Sequence, residues 1–326
     1  MNMRSWWAQS AGSAVLLESR EVAVPEPGPG QILLRVRAAG LNRGEFIPAQ
    51  GPVKPGAAKP AGNEAAGEVL RAGSGVSGCR PGERVMGRCA GAFAEFALMD
   101  AREAMVVPPR LSWEEAAAVP LVFMVTHDML IAQGRLRAGE WLLVTGVSSG
   151  VGVASLQAAK ALGARVIGTS GSVEKIERLK AAGLDLGICA RRADFAPAVL
   201  EATAGRGANL AVNAVGGSMF AECLRALAFE GRLAIVGYVD GALSSEIDLE
   251  ALHAKRLTIF GVSNKLRSPE QRASTVRGFA NDLLPAIADG RIQPLVDRVF
   301  AFADLQKAKA YMDSDAQVGK IVLSLR

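Results

Sequence analysis

Residues 141–152 read Trp-Leu-Leu-Val-Thr-Gly-Val-Ser-Ser-Gly-Val-Gly, an apolar strand running directly into a Gly-x-x-x-Gly-x-Gly turn. Leu142, Leu143 and Val144 suit a strand buried on both faces, while Gly146, Gly150 and Gly152 let the backbone turn sharply and approach a ligand closely. The apolar spacing of residues 151–162 predicts a helix that opens at the turn, so its free N–H groups and positive dipole end face an anion such as a pyrophosphate. Gly146, Ser148, Ser149, Gly150, Val151 and Gly152 are therefore the first candidate contacts, for a dinucleotide; a tight strand-to-helix turn without a ligand is the competing reading.

Outward from this junction, short apolar strands alternate with helices from residue 121 to about 263. The strands are predicted at 141–144, 165–169, 184–189, 210–215, 232–236 and 257–261, which makes six parallel strands in a doubly wound sheet. Before residue 120 the chain reads as short strands broken by Gly and Pro, at 31–38, 64–72, 84–88 and 93–99 among others, a mostly-β unit. Beyond 264 a helix is expected at 275–289, then strands at 296–302 and 320–325 with a helix at 305–312 between them. These last strands resemble the first segment. The expectation is thus a two-part, mostly-β domain, 1–121 with 264–326, and a dinucleotide domain inserted at 122–263.

Composition narrows the class. The chain has 326 residues, half of them hydrophobic, with 36 glycines, which suits two α/β domains with real cores and not disorder. Its 37 basic and 32 acidic side chains leave +5 without a run of like charges, so a nucleic-acid partner is not indicated. Cys79, Cys89, Cys189 and Cys223 are far apart and form no Cys-x-x-Cys pair, which argues against a disulfide framework and a zinc lobe. No stretch approaches a membrane span, and Met-Asn-Met-Arg-Ser-Trp-Trp lacks a signal-peptide core, so a cytoplasmic protein is expected.

The order of motifs carries a resemblance. Ala-Ala-Gly-Leu-Asn (38–42), Gly-Asn-Glu-Ala-Ala-Gly-Glu-Val (62–69), Arg-Pro-Gly-Glu-Arg-Val (80–85), Gly-Ala-Phe-Ala-Glu-Phe (91–96), the glycine turn and Val-Gly-Lys-Ile-Val-Leu (318–323) follow one another along nearly the whole chain. Together they resemble a zinc-independent medium-chain dehydrogenase/reductase, similar to the quinone oxidoreductases and related enone reductases. The resemblance implies an α/β fold in which a GroES-like, partly opened β-barrel catalytic domain accompanies a doubly wound Rossmann domain. It also implies a homodimer joined through the edges of the nucleotide-domain sheets. The short-chain dehydrogenases, whose glycine turn is alike, need a Tyr with a Lys four residues on. Here Tyr238 and Tyr311 are followed at that spacing by Ala242 and Asp315.

Zinc enzymes of the same superfamily hold a catalytic metal with Cys and His, because a tetrahedral site wants thiolate or imidazole and one open position. The matching places here carry Asn42 and Asn63, and the chain has only His127 and His253. No metal is expected, and Glu64 of that motif becomes a structural group, bonded to local backbone or paired with an arginine.

An NAD site places Asp or Glu about 20 residues past the turn to hold the ribose diol, whereas a 2′-phosphate repels that charge. The corresponding strand ends Gly168-Thr169-Ser170-Gly171-Ser172 without a carboxylate, with Lys175 following and Arg191-Arg192 after the next strand. NADP(H) is the cofactor this favours, with Ser170, Lys175 and Arg191 as contacts; ordinary exposed charges are the competing reading, and Ala190 stands where relatives often carry Tyr. Family likeness adds Val215, Gly237, Tyr238, Phe260 and Val262 as the channel for adenine, ribose and nicotinamide, each of which also reads as strand-end turn chemistry.

Without a metal, hydride transfer to a quinone or to a carbon–carbon double bond conjugated to a carbonyl is feasible, and the protein positions and polarises. By resemblance, Asn42 touches the nicotinamide ribose or the substrate and Thr126 meets the cofactor's carboxamide, its register uncertain by one residue; these are the catalytic candidates. His127 beside it is more often a core residue than an acid. Where many relatives place a tyrosine, Glu45-Phe46-Ile47-Pro48 stands instead, which makes water the default proton donor. Arg43 and Glu45 add polarity there, selecting substrate or forming a solvated pair. The function expected is an NADPH-dependent quinone or enone reductase. An enoyl-thioester reductase is the alternative within enzymes, and an NADPH-binding sensor or structural protein without turnover the alternative outside them.

Overall fold

The computed structural model describes residues 1–12, 14–47 and 58–325; Pro48, named above, lies outside them. The chain divides into two compact units, Met1–Leu121 with Pro294–Arg326, and Val122–Gln293. The first unit opens with strands β1 (Asn2–Ala11), β2 (Ala14–Ala23), β3 (Gln31–Gly40), β4 (Lys59–Pro60), β5 (Glu64–Ala72), β6 (Arg84–Arg88), β7 (Phe96–Asp100) and β8 (Ala104–Val106), followed by helix α1 (Trp113–Ala117). Helix α2 (Pro120–His127) then leads into the alternating series β9 (Trp141–Thr145), α3 (Gly150–Ala161), β10 (Arg165–Ser170), α4 (Val173–Lys180), β11 (Leu186–Cys189) and α5 (Ala196–Ala202). It continues through β12 (Ala208–Asn213), α6 (Gly217–Ala226), β13 (Leu227–Ile235), α7 (Leu249–Ala254) and β14 (Thr258–Gly261) to α8 (Pro269–Asp282) and α9 (Leu284–Ala288). The return to the first unit is β15 (Val296–Ala301), α10 (Leu305–Asp313) and β16 (Lys320–Ser324).

In the first unit β2, β1 and β4 form a small antiparallel sheet. The larger sheet runs β15-β16-β3-β5-β6-β8, with β7 also paired to β3. Ile32, Leu34 and Val36 point to one face of β3 and pack with Ala65, Val69, Val85 and Leu323, so the late strand β16 completes a core begun at the N-terminus. The Trp6 indole donates to the Phe302 carbonyl at 2.9 Å, fastening β1 to the same returning segment.

The second unit holds six parallel strands in the order β11-β10-β9-β12-β13-β14, that is, third, second, first, fourth, fifth, sixth in order of appearance. Leu142, Leu143 and Val144 are wholly buried, as a strand covered on both faces requires. The order reverses between β9 and β12, and in open parallel sheets the crevice outside the carboxyl ends at such a reversal is where ligands bind. The fold expected from the sequence, a doubly wound parallel sheet beside a mostly-β unit, is the fold found.

Two expectations need adjustment. The helix read at 275–289 is two helices. Ser268 caps α8 and exchanges hydrogen bonds with Gln271, Pro269 supplies the first turn, and Pro285, without an N–H to continue a ladder, begins α9 after the break at Leu283. These helices cluster with the nucleotide unit, where the sequence reading assigned everything past 263 to the other: Phe279 is wholly buried with its ring 6.3 Å from that of Phe123, and Gln157 donates to the Gln293 carbonyl at 2.7 Å.

Candidate active site

The glycine turn is built as a cradle. Gly146 has φ +65°, Ser149 N–H bonds back to its carbonyl at 3.0 Å, and Val147 N–H bonds to the Thr169 carbonyl at 3.0 Å, which ties the turn to the neighbouring strand. Ser149 caps α3, its Oγ accepting from Gly152 N at 3.0 Å. Gly152 has no room for a side chain, since a Cβ there would stand 2.5 Å from the Gly146 carbonyl oxygen. Ser148, Ser149, Gly150 and Val151 are partly exposed at the start of a twelve-residue helix, where the first N–H groups lack intrahelical partners.

Around Gly171 the ends of β10 and β11 meet. Ser170 Oγ accepts from Ser172 N at 3.3 Å, Ser172 Oγ accepts from Lys175 N at 3.3 Å, and Arg191 Nε donates to the Gly171 carbonyl at 3.0 Å. No carboxylate takes part in these bonds, and two cations border them. On the other side of β9, Val215 lies against Gly146 and its N–H bonds to Asn213 Oδ1 at 3.1 Å. Gly237 sits where a Cβ would be 3.0 Å from the Ala214 carbonyl, Tyr238 is exposed, Phe260 is partly exposed and Val262 is buried. The N-terminus of α6 is already satisfied: Asp240 accepts from Ser218 N at 2.9 Å and from Ala242 N. Burial pushes the Asp240 carboxyl up, but the Ser218 hydroxyl and these N–H groups outweigh it and hold it below the usual range.

In the first unit Asn42 lies at the centre of a polar cluster. Its backbone N–H donates to Glu45 Oε2 at 2.9 Å, and its Nδ2 donates to Glu64 Oε1 at 2.8 Å and to Glu45 Oε1 at 3.4 Å. Asn63 Nδ2 donates to Glu45 Oε1 at 3.1 Å. Lys320 Nζ donates to Glu64 Oε1 at 2.7 Å, the Leu41 carbonyl at 2.7 Å and Asn42 Oδ1 at 2.8 Å, and Leu121 N–H completes Glu64 through Oε2 at 2.7 Å. Glu64 is wholly buried, and Gly40 makes the space: a Cβ there would stand 2.6 Å from Glu64 Oε1. Burial pushes the Glu45 carboxyl up to about 7, against the lowering pull of Asn42 N–H and Lys320.

Two family models match the chain, the alcohol dehydrogenase GroES-like domain over residues 28–109 and the zinc-binding dehydrogenase over residues 150–276. An acryloyl-coenzyme A reductase of Metallosphaera sedula is 31% identical, over 94% of this chain and 96% of its own. The chain is a medium-chain dehydrogenase/reductase. A quinone oxidoreductase of Rattus norvegicus is 29% identical over 96% of this chain and 95% of its own. Among solved structures, a mycobacterial protein complexed with NADPH superposes with a TM-score of 0.88 at 28% identity, covering 99% of each chain.

The zinc implied by the description of the second family model does not fit the residues of this dehydrogenase/reductase. Asn42 and Asn63 offer neutral amides, an ammonium is bonded into the middle of the cluster, and burial pushes the nearby Cys89 thiol up to about 12, far from the thiolate a metal needs. Among the described residues no group of three His, Cys, Asp or Glu side chains is placed to hold a metal ion.

Several sequence readings take a different form in the structure. Glu64 pairs with Lys320 and a backbone N–H, not with an arginine. Arg43 and Glu45 do not pair with each other; Arg43 bonds to Asp315 and to the Met312 carbonyl. Thr126 is wholly buried, its hydroxyl 3.5 Å from Ser155 Oγ, so it fastens α2 to α3. His127 is buried with Nε2 2.7 Å from Asp282 Oδ2, a packing residue between α2 and α8. Lys320 was quoted in its motif without a role; its signal was a charged residue opening a run of apolar strand positions.

Proposed function

We propose that this medium-chain dehydrogenase/reductase is an NADPH-dependent, zinc-free reductase of quinones or α,β-unsaturated carbonyls. The observation that carries the reading is the cradle at Gly146–Gly152 together with the corner where the Ser170 hydroxyl, Lys175 and Arg191 stand at the ends of β10 and β11, which suits a pyrophosphate and a 2′-phosphate in turn. The NADPH held by the similar mycobacterial protein and the reductases among the relatives support it.

Gly146, Ser148, Ser149, Gly150, Val151 and Gly152 would hold the pyrophosphate; Ser170, Lys175 and Arg191 the 2′-phosphate; Val215, Gly237, Tyr238, Phe260, Val262 and Asn42 the remainder, while Thr126, buried against Ser155, would support them from behind. When bound, the reduced nicotinamide supplies hydride to the electrophilic carbon, and the matching proton comes from water. The residues position the reactants and exclude a competing cation; none forms a covalent bond.

A homodimer formed through the edge of the nucleotide sheet is part of the proposal: β14 ends that sheet, and Tyr238, Val239, Leu243 and Leu249 are exposed apolar residues of the same unit. The cytoplasm is the proposed setting, in keeping with four free cysteines; among the described residues no helix is long and apolar enough to cross a membrane.

Titration with NADPH and with NADH, followed by an acceptor panel of quinones, short enones and an enoyl thioester, tests the proposal. Tighter binding of NADPH with turnover on quinones or enones supports it. Turnover confined to the thioester moves the assignment to an enoyl-thioester reductase, and binding without any turnover moves it to a sensor.

A further inference from the structure

We infer that Lys320 is a positioning residue: its ammonium supplies, from within the chain, the fixed cation of the Asn42 site and orients the Asn42 amide so that only an acceptor is left for a ligand. The inference rests on the proposed function in taking Asn42 as a ligand contact.

The hydrogen-bond inventory leads there. An ammonium has three protons, and all three of Lys320 are spent, on Leu41 O, Asn42 Oδ1 and Glu64 Oε1. A primary amide has two N–H protons, and both of Asn42 face carboxylates, Glu64 Oε1 and Glu45 Oε1. Turning the amide over would set its NH2 against the ammonium at 2.8 Å and its oxygen against Glu64 at the same distance, like against like in a buried place. The orientation is therefore fixed by charge, and what remains is the second lone pair of Oδ1 on a partly exposed residue.

An acceptor of this kind takes a hydroxyl and cannot polarise a carbonyl. A quinone or enone offers only carbonyl oxygens, whereas the nicotinamide ribose carries hydroxyls. Of the two roles that the resemblance left open for Asn42, the chemistry selects the cofactor's ribose, and Lys320 makes that choice.

The test compares Lys320→Met with Lys320→Met/Glu64→Gln. The single variant leaves a carboxylate buried without its cation and is expected to unfold at lower temperature; the double variant removes that charge and recovers most of the melting temperature. In both, the NADPH dissociation constant is expected to rise about fivefold, the equivalent of one hydrogen bond, with the acceptor KM unchanged. Wild-type NADPH affinity in the folded double variant would make Lys320 merely structural and overturn the inference, as would a raised acceptor KM with unchanged NADPH affinity. If neither variant folds, 15N spectra of the wild-type protein decide: a protected Lys320 ammonium and two inequivalent, slowly exchanging Asn42 amide protons are expected, and rapid exchange of either contradicts the account. Failure of the wild-type protein to bind NADPH would instead count against the proposed function, and those spectra would still read Lys320 by itself.

Discussion

Gly152 packs so closely on Gly146 that a Cβ at residue 152 would stand 2.5 Å from the Gly146 carbonyl oxygen, with the Val147 carbonyl oxygen at 2.6 Å. Both obstacles are backbone, so Gly152→Ala must push α3 away from the turn. The variant is expected to lose about 2 kcal/mol of stability and at least tenfold in NADPH affinity, read by denaturant unfolding and by fluorescence titration. Unchanged affinity would show that the turn is not the dinucleotide cradle.

On the proposed function, the corner at Gly171 sets the choice between cofactors. Ser170 is buried, and its hydroxyl already accepts from Ser172 N, a bond that an aspartate would keep while adding negative charge. Ser170→Asp is expected to weaken NADPH at least tenfold and to leave NADH within about threefold, and Arg191→Ala to weaken NADPH alone by about fivefold. Equal losses for both cofactors would place the 2′-phosphate elsewhere.

Glu45 gives the stability a pH dependence of known sign. Its carboxyl, raised by burial from 4.5 to about 7, binds its proton more tightly folded than unfolded. Its contribution is therefore fully present below the unfolded value and is lost as the pH rises towards 7. Glu45→Gln removes the loss. Relative to wild type it should gain on the order of 2 kcal/mol between pH 5 and pH 8, after allowance for the partial exposure of the side chain. Denaturant midpoints at the two pH values measure this, and a pH-independent difference would contradict it.

The sequence exposed what local backbone chemistry dictates and hid what distance assembles. The turn after β9 was legible because an apolar strand, three glycines and a capping serine act on neighbouring residues. The cluster around Asn42 was legible in the amides Asn42 and Asn63 that stand at the motif's ligand positions, but not in its ion pair, since Lys320 and Glu64 are 256 residues apart. Thr126 and His127 were hard to place because α2 reads Pro-Leu-Val-Phe-Met-Val-Thr-His, apolar on every side and without a stripe to tell an inward from an outward face. The end of the inserted unit was missed because α8 carries only a few buried apolar residues, Ala273, Val276 and Phe279 among them, in an otherwise polar helix.

The most direct test of a zinc-free NADPH reductase is steady-state loss of reduced-nicotinamide absorbance with quinone and enone acceptors, after exhaustive chelation and with the metal content of the same sample measured. The account predicts full turnover with NADPH at negligible metal content, and much weaker turnover with NADH. Activity that disappears with the metal and returns on adding zinc would contradict it.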